Sequence, residues 1–310
     1  MFFVFILVHI VTPFGKTPLF QPMLCHLPKC PISGPSLCQF VIDNATNAWD
    51  NSTEDARKDY LCRKTFKMVY RQLSPEETED LSSRILYEDN HLLVVNKRPG
   101  EIVQGDKTGD ETLCDKYKAF IAWRDSKPGE VFLGIPHRLD RPVSGVTILS
   151  KTSKCLERMT AAFRDGTVHK TYWALVCAMP AKEEDLLENW MWKNEQQNRS
   201  YICKEGKRRD AKLARLKYSM IAATDRYYLL EVDLLTGRHH QIRCQLSSIG
   251  CPIKGDLKYG APRSNPDGGI SLHSRKAVFP HPVRKDAEGK PLEMEITAPV
   301  PSSWKGIPTP

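Results

Sequence analysis

The sequence predicts an α+β domain built on a mixed or antiparallel sheet with flanking helices. From Ile85 onward strand-like segments dominate and only a few helical segments interrupt them. These segments do not follow the regular strand–helix–strand alternation that a parallel sheet requires. Size and composition agree: 310 residues, 41% hydrophobic and 26% charged, suffice for one large domain with an extension. Collagen-like and wholly disordered classes are excluded.

The first twelve residues, MFFVFILVHIVT, are strongly apolar but too short to span a bilayer as a helix. They resemble a signal-peptide core without its basic flank, because the first lysine is Lys16. A targeting segment and a misassigned start both stay open, and a cytoplasmic location is the expectation. Prolines at 13, 18, 22, 28, 31 and 35 keep the next stretch out of regular structure. From Ser52 to Leu73, apolar Leu61, Phe66, Val69 and Leu73 among charges, with a Ser52/Asp55 start, predict a helical extension. SPEETEDLSSR then reads as a further acidic turn of helix or a linker.

At Ile85 the texture changes. ILYEDNHLLVVNK is two apolar runs parted by Asp89-Asn90, a hairpin signature. The expected division is therefore an N-terminal extension over 1–84, a main domain over 85–302 and a frayed tail over 303–310. Within the main domain a helix is expected around Thr112 to Arg124, and strands near Val131 to Leu139 and Gly145 to Lys151. In SKCLERMTAAFRDG, Leu156, Met159 and Phe163 fall at helical spacing and Gly166 stops the helix. VHKTYWALVCA, LARLKYSMIAA and RYYLLEVDLL are rich in β-branched and aromatic residues and read as strands. HHQIRCQLSSIG sets Ile242, Leu246 and Ile249 on one helical face before another glycine.

Net charge is +8 with a pI near 8.9, which points to a polyanionic partner. Lys204 to Lys217 concentrates that charge, with seven lysines and arginines against Glu205 and Asp210. A solvated hairpin is the alternative reading of that stretch. The ten cysteines contain no CxxC pair and no zinc-site spacing, so they read as reduced, packed thiols. No phosphate loop, GxSxG or HExxH is present, and the adjacent His239 and His240 cannot share one helical face as a metal pair. No metal and no cofactor are expected.

In HRLDRPVSG, His137 to Gly145, Arg138 and Arg141 flank Asp140. A surface ion pair is one reading, and such pairs contribute little to stability. The other is a nucleophile, since nearby cations favour the charged form of a carboxylate. A hydrolytic glycosidase fits poorly, because only one clear catalytic carboxylate is seen where two are usual. Around Asp140 gather basic and aromatic segments, HKTYWALV, GRHHQIRCQL and CPIKGDLKYGAPRS, a combination suited to RNA.

These segments carry a resemblance. From Ile85 to Ala298 the chain resembles the RluA family of pseudouridine synthases in four ordered blocks. HRLDRPVSG is similar to HRLDxxTSG, KTYWALV to KxYxAxV, GRHHQIRCQLSSIGCPIKGDLKYG to GRTHQIRxHLxxxGxPIxGDxxYG, and SLHSRKAVFPHP to LHAxxLxFxHP. The match is to compact members without an S4 domain. The resemblance implies a central mixed, mainly antiparallel sheet with flanking helices, crossed by an RNA-binding cleft, and an enzyme that isomerises uridine in rRNA or tRNA without cofactor or metal.

It implies roles as well: Asp140 as the catalytic aspartate, Tyr172 as the tyrosine that stacks on the base and assists proton removal at C5, and Arg243 as the partner of the aspartate. Arg138 matches the arginine that displaces the base from its stack. Arg141, Lys170, Arg238, His239, His240, Gln241, Lys254 and Lys258 complete the expected RNA-binding set. Val143, Ala178, His239 and Gln245 depart from the pattern, with His239 and Gln245 at positions expected to alter substrate contacts. The competing class is a non-catalytic RNA-binding or ribosome-assembly protein on the same scaffold, whose mark is loss of Asp140, Tyr172 or Arg243; all three are present. A monomer is expected.

Overall fold

The computed structural model describes residues 70–105, 108–127 and 129–304. The expectations for the apolar first residues, the Pro-rich stretch, the helix over 52–69 and the last six residues lie outside the described residues. Tyr70 to Leu73, the end of that expected helix, are not helical. Instead Tyr70 Oη accepts from Val131 N at 2.7 Å, and Arg71 is paired with Glu77 and Glu111.

Helix α1 (Pro75–Ser83) resolves the helix-or-linker choice in favour of a helix, with Pro75 in its first turn. Ser74 and Glu77 form a reciprocal capping box, which satisfies two of the donors a helix start leaves open. Leu81 is buried with Val95, Tyr117, Phe120 and Leu149, so the packed unit runs upstream of Ile85. Strands β1 (Ile85–Glu88) and β2 (Leu92–Lys97) form the expected hairpin, and Asp89 ties the turn by accepting from His91 N and Leu92 N at 2.7 Å each. Helix α2 (Leu113–Arg124) starts at a Thr112/Asp115 capping box.

The segment Val131 to Leu139 corrects its expectation. Apart from an isolated bridge between Gly134 and Ser150 it forms no strand. Val131 and Leu133 are buried and Phe132 is exposed, so the alternation reflects one-sided packing rather than a ladder, and Pro136 offers no N–H.

Strand β3 (Ser144–Ser150) is fully buried. Helix α3 (Ser153–Arg164) is capped by Thr152, and Gly166 follows it at φ 74°. Then come β4 (His169–Val176), β5 (Glu184–Asn194), β6 (Arg199–Cys203), β7 (Lys212–Ala223), β8 (Tyr228–Leu234), α4 (Gln241–Ser248), β9 (Leu272–Lys285) and β10 (Pro291–Thr297). The ten strands form one sheet in the order β1-β2-β3-β9-β4-β8-β7-β5-β6, with β10 alongside β9. All pairings are antiparallel except β3 with β9.

Pro280 and Pro282 disguise β9 in sequence. They lie beyond Val278, where β4 no longer pairs and only β10 does, so the missing N–H groups leave no central ladder broken. Trp304 is buried against Trp173, Leu175 and Leu229 rather than frayed. Among the described residues no helix is long and apolar enough to cross a membrane.

The parallel β3–β9 contact fixes the end of HRLDRPVSG. Gly145 sits at φ 112°, and a Cβ there would lie 2.2 Å from Ser274 O. Gly145→Ala is therefore expected to cost about 3 kcal/mol or more, from backbone strain and overpacking combined. Urea denaturation checks this. A loss below about 1 kcal/mol would mean that β3 and β9 separate freely.

Candidate active site

Helix α4 is entered through its N-cap His240, which holds a left-handed backbone at φ 50°, and turns Arg243 inward from its first turn. Arg243 is 5% exposed. Its Nε donates to Asp256 Oδ2 at 2.7 Å and Nη2 to Asp256 Oδ1 at 2.9 Å, a two-pronged pair. The remaining nitrogen, Nη1, donates to Asp140 Oδ2 at 3.1 Å. The Tyr259 ring lies 5.1 Å from the guanidinium carbon.

One buried arginine thus joins two carboxylates in unlike settings. Asp256 is 1% exposed with both oxygens occupied, whereas the Asp140 side chain is 32% exposed. Only Asp140 is open to a substrate.

Lys97 holds the Asp140 loop from beneath. It is wholly buried at the end of β2, and Nζ donates to the carbonyls of Arg98, Asp140, Arg141 and Val143 at 3.0, 3.3, 3.0 and 2.6 Å. Gly100 N also donates to Arg141 O, and Ile270 N to Pro142 O. Burial pushes the Lys97 ammonium down to about 7. From there up to the ordinary lysine value the unfolded chain binds a proton that the folded chain has released, so stability rises with pH across that window. Lys97→Met is expected to flatten this rise and, at the high end of that window, where the wild-type lysine is neutral in both states, to lower stability by about 2 kcal/mol through orphaned carbonyls. Denaturation at several pH values checks both effects; an unchanged pH slope would remove Lys97 as its source.

His137 braces the other side. Its Nε2 accepts from Ile148 N at 2.9 Å, and its ring stacks on Phe163 at 4.5 Å. Burial lowers its pKa to about 3, as an accepting neutral imidazole requires.

Tyr172, on β4, is 6% exposed, with its hydroxyl bonded to Ser274. Burial pushes the phenol up to about 12, and the Asp140 charge acts in the same direction. His240 Nε2 lies 3.5 Å from Asp140 Oδ2, and Nδ1 is 3.0 Å from Tyr259 Oη. Burial and then Arg243 drive its pKa down to about 2, so the ring is neutral. His239 stacks on it at 3.8 Å and is held by Ser200 and Asn198.

The expected RNA-facing residues divide. Arg138 and Arg141 are exposed beside Asp140, bonded to Gln104 at 3.2 Å and paired with Asp110 at 2.8 Å. Lys170 is half-buried near the Phe163 ring and has no ion pair among the described residues. Arg238 donates to Leu213 O, Lys254 to Asn265, and Lys258 to the carbonyls of Gln197 and Asn198.

Gln241 is a correction: it is 3% exposed, its amide spent on Thr236, Arg238 N, Arg215 O and Gln245. At a helix start it caps its own loop. Gln245 is likewise buried, donating to Leu187 O, Asn189 and Ala214 O. Asp256, Lys97 and Tyr259 went unselected in the sequence, although Asp256 and Tyr259 are the aspartate and tyrosine of GDLKYG.

Residues 91–248 match the family described as RNA pseudouridylate synthase. The chain is 30% identical over 234 residues to ribosomal large subunit pseudouridine synthase C of Vibrio parahaemolyticus, covering 74% of this chain and 69% of that one. It is 30% identical over 233 residues to ribosomal large subunit pseudouridine synthase D of Zymomonas mobilis, covering 72% and 71%. Among solved structures, human RNA pseudouridylate synthase domain containing 4 superposes with a TM-score of 0.59 at 24% identity, over 73% of this chain and 91% of that one. Human RNA pseudouridylate synthase domain containing 1 gives 0.55 at 23% identity, over 73% and 86%.

Proposed function

The chain belongs to the RNA pseudouridylate synthase family, isomerases that turn uridine in RNA into pseudouridine, and from this premise we propose that Asp140 starts the reaction as nucleophile on a uridine of structured rRNA or tRNA. The observation that supports this most is the shared guanidinium. Arg243 is locked on Asp256 and spends its last nitrogen on Asp140, so one partly open carboxylate is aimed by a buried, fixed cation. Burying that carboxylate under a substrate is costly without such a partner.

In the isomerisation the N1–C1′ bond breaks, the uracil turns, and C5 joins C1′. The proton on C5 leaves and N1 gains one. Asp140 initiates by attack on sugar or base, and Arg243 stabilises the charge it carries. Tyr172 supports the uracil with its ring. Its hydroxyl, pushed up to about 12 by burial, is protonated in the resting site and removes the C5 proton only after giving up its own.

The target base must leave its stack, at a cost of a few kcal/mol. Arg138 and Arg141 take that side of the site, with Lys170, Arg238, His239, His240, Lys254 and Lys258 around it. The Arg141–Asp110 pair is exposed on both sides, so a phosphate displaces it cheaply. Action as a monomer in the cytoplasm completes the reading.

Tritium release from RNA carrying [5-³H]uridine, with rRNA and tRNA pools offered separately, tests this. Release from one pool is expected. No release from either, with RNA binding intact, would favour a binding protein on the same scaffold.

A further inference from the structure

Resting on the RNA-isomerase reading, we propose that the outer face of the β5–β6 hairpin, with the β6–β7 turn, is a second RNA contact surface that stacks and grips a single-stranded segment flanking the target uridine. Trp192 and Tyr201 face each other in the β5–β6 ladder and stack at 5.4 Å and 26°. Arg208 lies over Trp192, its guanidinium carbon 3.7 Å from the ring centre. Arg199 flanks the other end, 5.2 Å from Tyr201. The result is a ladder of cation, ring, ring and cation.

Strand alternation sets this ladder on the side opposite Leu187 and Met191, which are buried toward α4. On the same outer side Leu186 and Leu213 are 43% and 37% exposed. No core accounts for this row of apolar and planar groups.

Charge selects the occupant. Lys204, Lys207, Arg208 and Arg209 project from the turn, all exposed, and among the described residues only Arg208 of these is ion-paired. Arg199 makes no ion pair and no side-chain hydrogen bond among the described residues, and its Nε is buried without a partner. Unpaired cations beside stacked rings fit phosphates and bases together, which is how single strands are held without sequence preference.

The surface is also continuous with the site. β6 is the last strand of the sheet. Asn198, just before it, and its Ser200 hold His239, and the Arg199 guanidinium lies 5.0 Å from the Tyr259 ring that His240 bonds. A strand leaving the target uridine passes His239, rounds the edge at Arg199 and meets Tyr201 and Trp192.

The test uses the full chain and a fluorescein-labelled oligouridylate twelve-mer, read by anisotropy at several salt concentrations. Trp192→Leu is expected to weaken binding about tenfold. The Lys207→Gln/Arg209→Gln double variant, on exposed turn residues that leave folding untouched, is expected to reduce the salt slope by about 0.7 for each phosphate that the turn no longer neutralises. Both should keep wild-type kcat for tritium release at saturating RNA. Absence of twelve-mer binding, or affinity and salt slope unchanged in the folded double variant, would overturn the proposal. Wild-type chain that binds through the ladder but releases no tritium would instead count against the isomerase reading alone.

Discussion

Asp140→Asn is expected to lower single-turnover tritium release by at least about 10⁴-fold, the scale of deleting a nucleophile from an intact site. The substitution is nearly isosteric, and the asparagine amide oxygen can still accept from Arg243 Nη1, so the loop has little reason to move. What holds the loop, Lys97 under its carbonyls and the Val143 N to Asp140 O turn bond, does not involve the changed atoms. Asp140 is also the more exposed of the two carboxylates, so folding depends on it least. RNA affinity is therefore expected within about threefold of wild type, measured by filter binding on the same preparations. A folded Asn variant with a tenth or more of wild-type turnover would remove Asp140 as nucleophile and leave it a binding group.

What could be read in the sequence depended on distance along the chain. Local signals were legible: the helical spacing of Leu156, Met159 and Phe163 with the stop at Gly166 marks α3, and the Asp89-Asn90 turn marks the first hairpin. The pairing of Asp140 with Arg243 spans 103 residues and no periodicity announces it, so it came only through the family blocks. The same blocks misled at Gln241, where residues in one surface-looking segment include a side chain that caps its own loop. β5 went unseen because its acidic start and one exposed face blur the alternation, and β9 because its prolines lie where β4 has already ended. Asp256 was silent for a different reason. A lone aspartate in a loop reads as solvated, and only the fold reveals that both its oxygens are buried on Arg243.

That buried pair separates stability from catalysis. Arg243→Met removes the cation and leaves Asp256, 1% exposed, as an uncompensated buried carboxylate. Breaking such a pair from one side costs about 3–5 kcal/mol. Turnover should fall as well, by about 10³-fold or more, because Asp140 is left without the charge that aims it, while RNA affinity falls far less. Alone, this variant does not distinguish a catalytic arginine from a structural one. Adding Asp256→Asn does, because it removes the orphaned charge: the double variant is expected to recover more than half of the missing stability in urea denaturation, yet to remain inactive in tritium release. The coupling between the two sites then lies in folding, and the activity defect belongs to the missing Nη1–Asp140 bond. A double variant that regained turnover along with stability would mean that Arg243 acts only as the counter-ion of Asp256, and that Asp140 needs no cation to react.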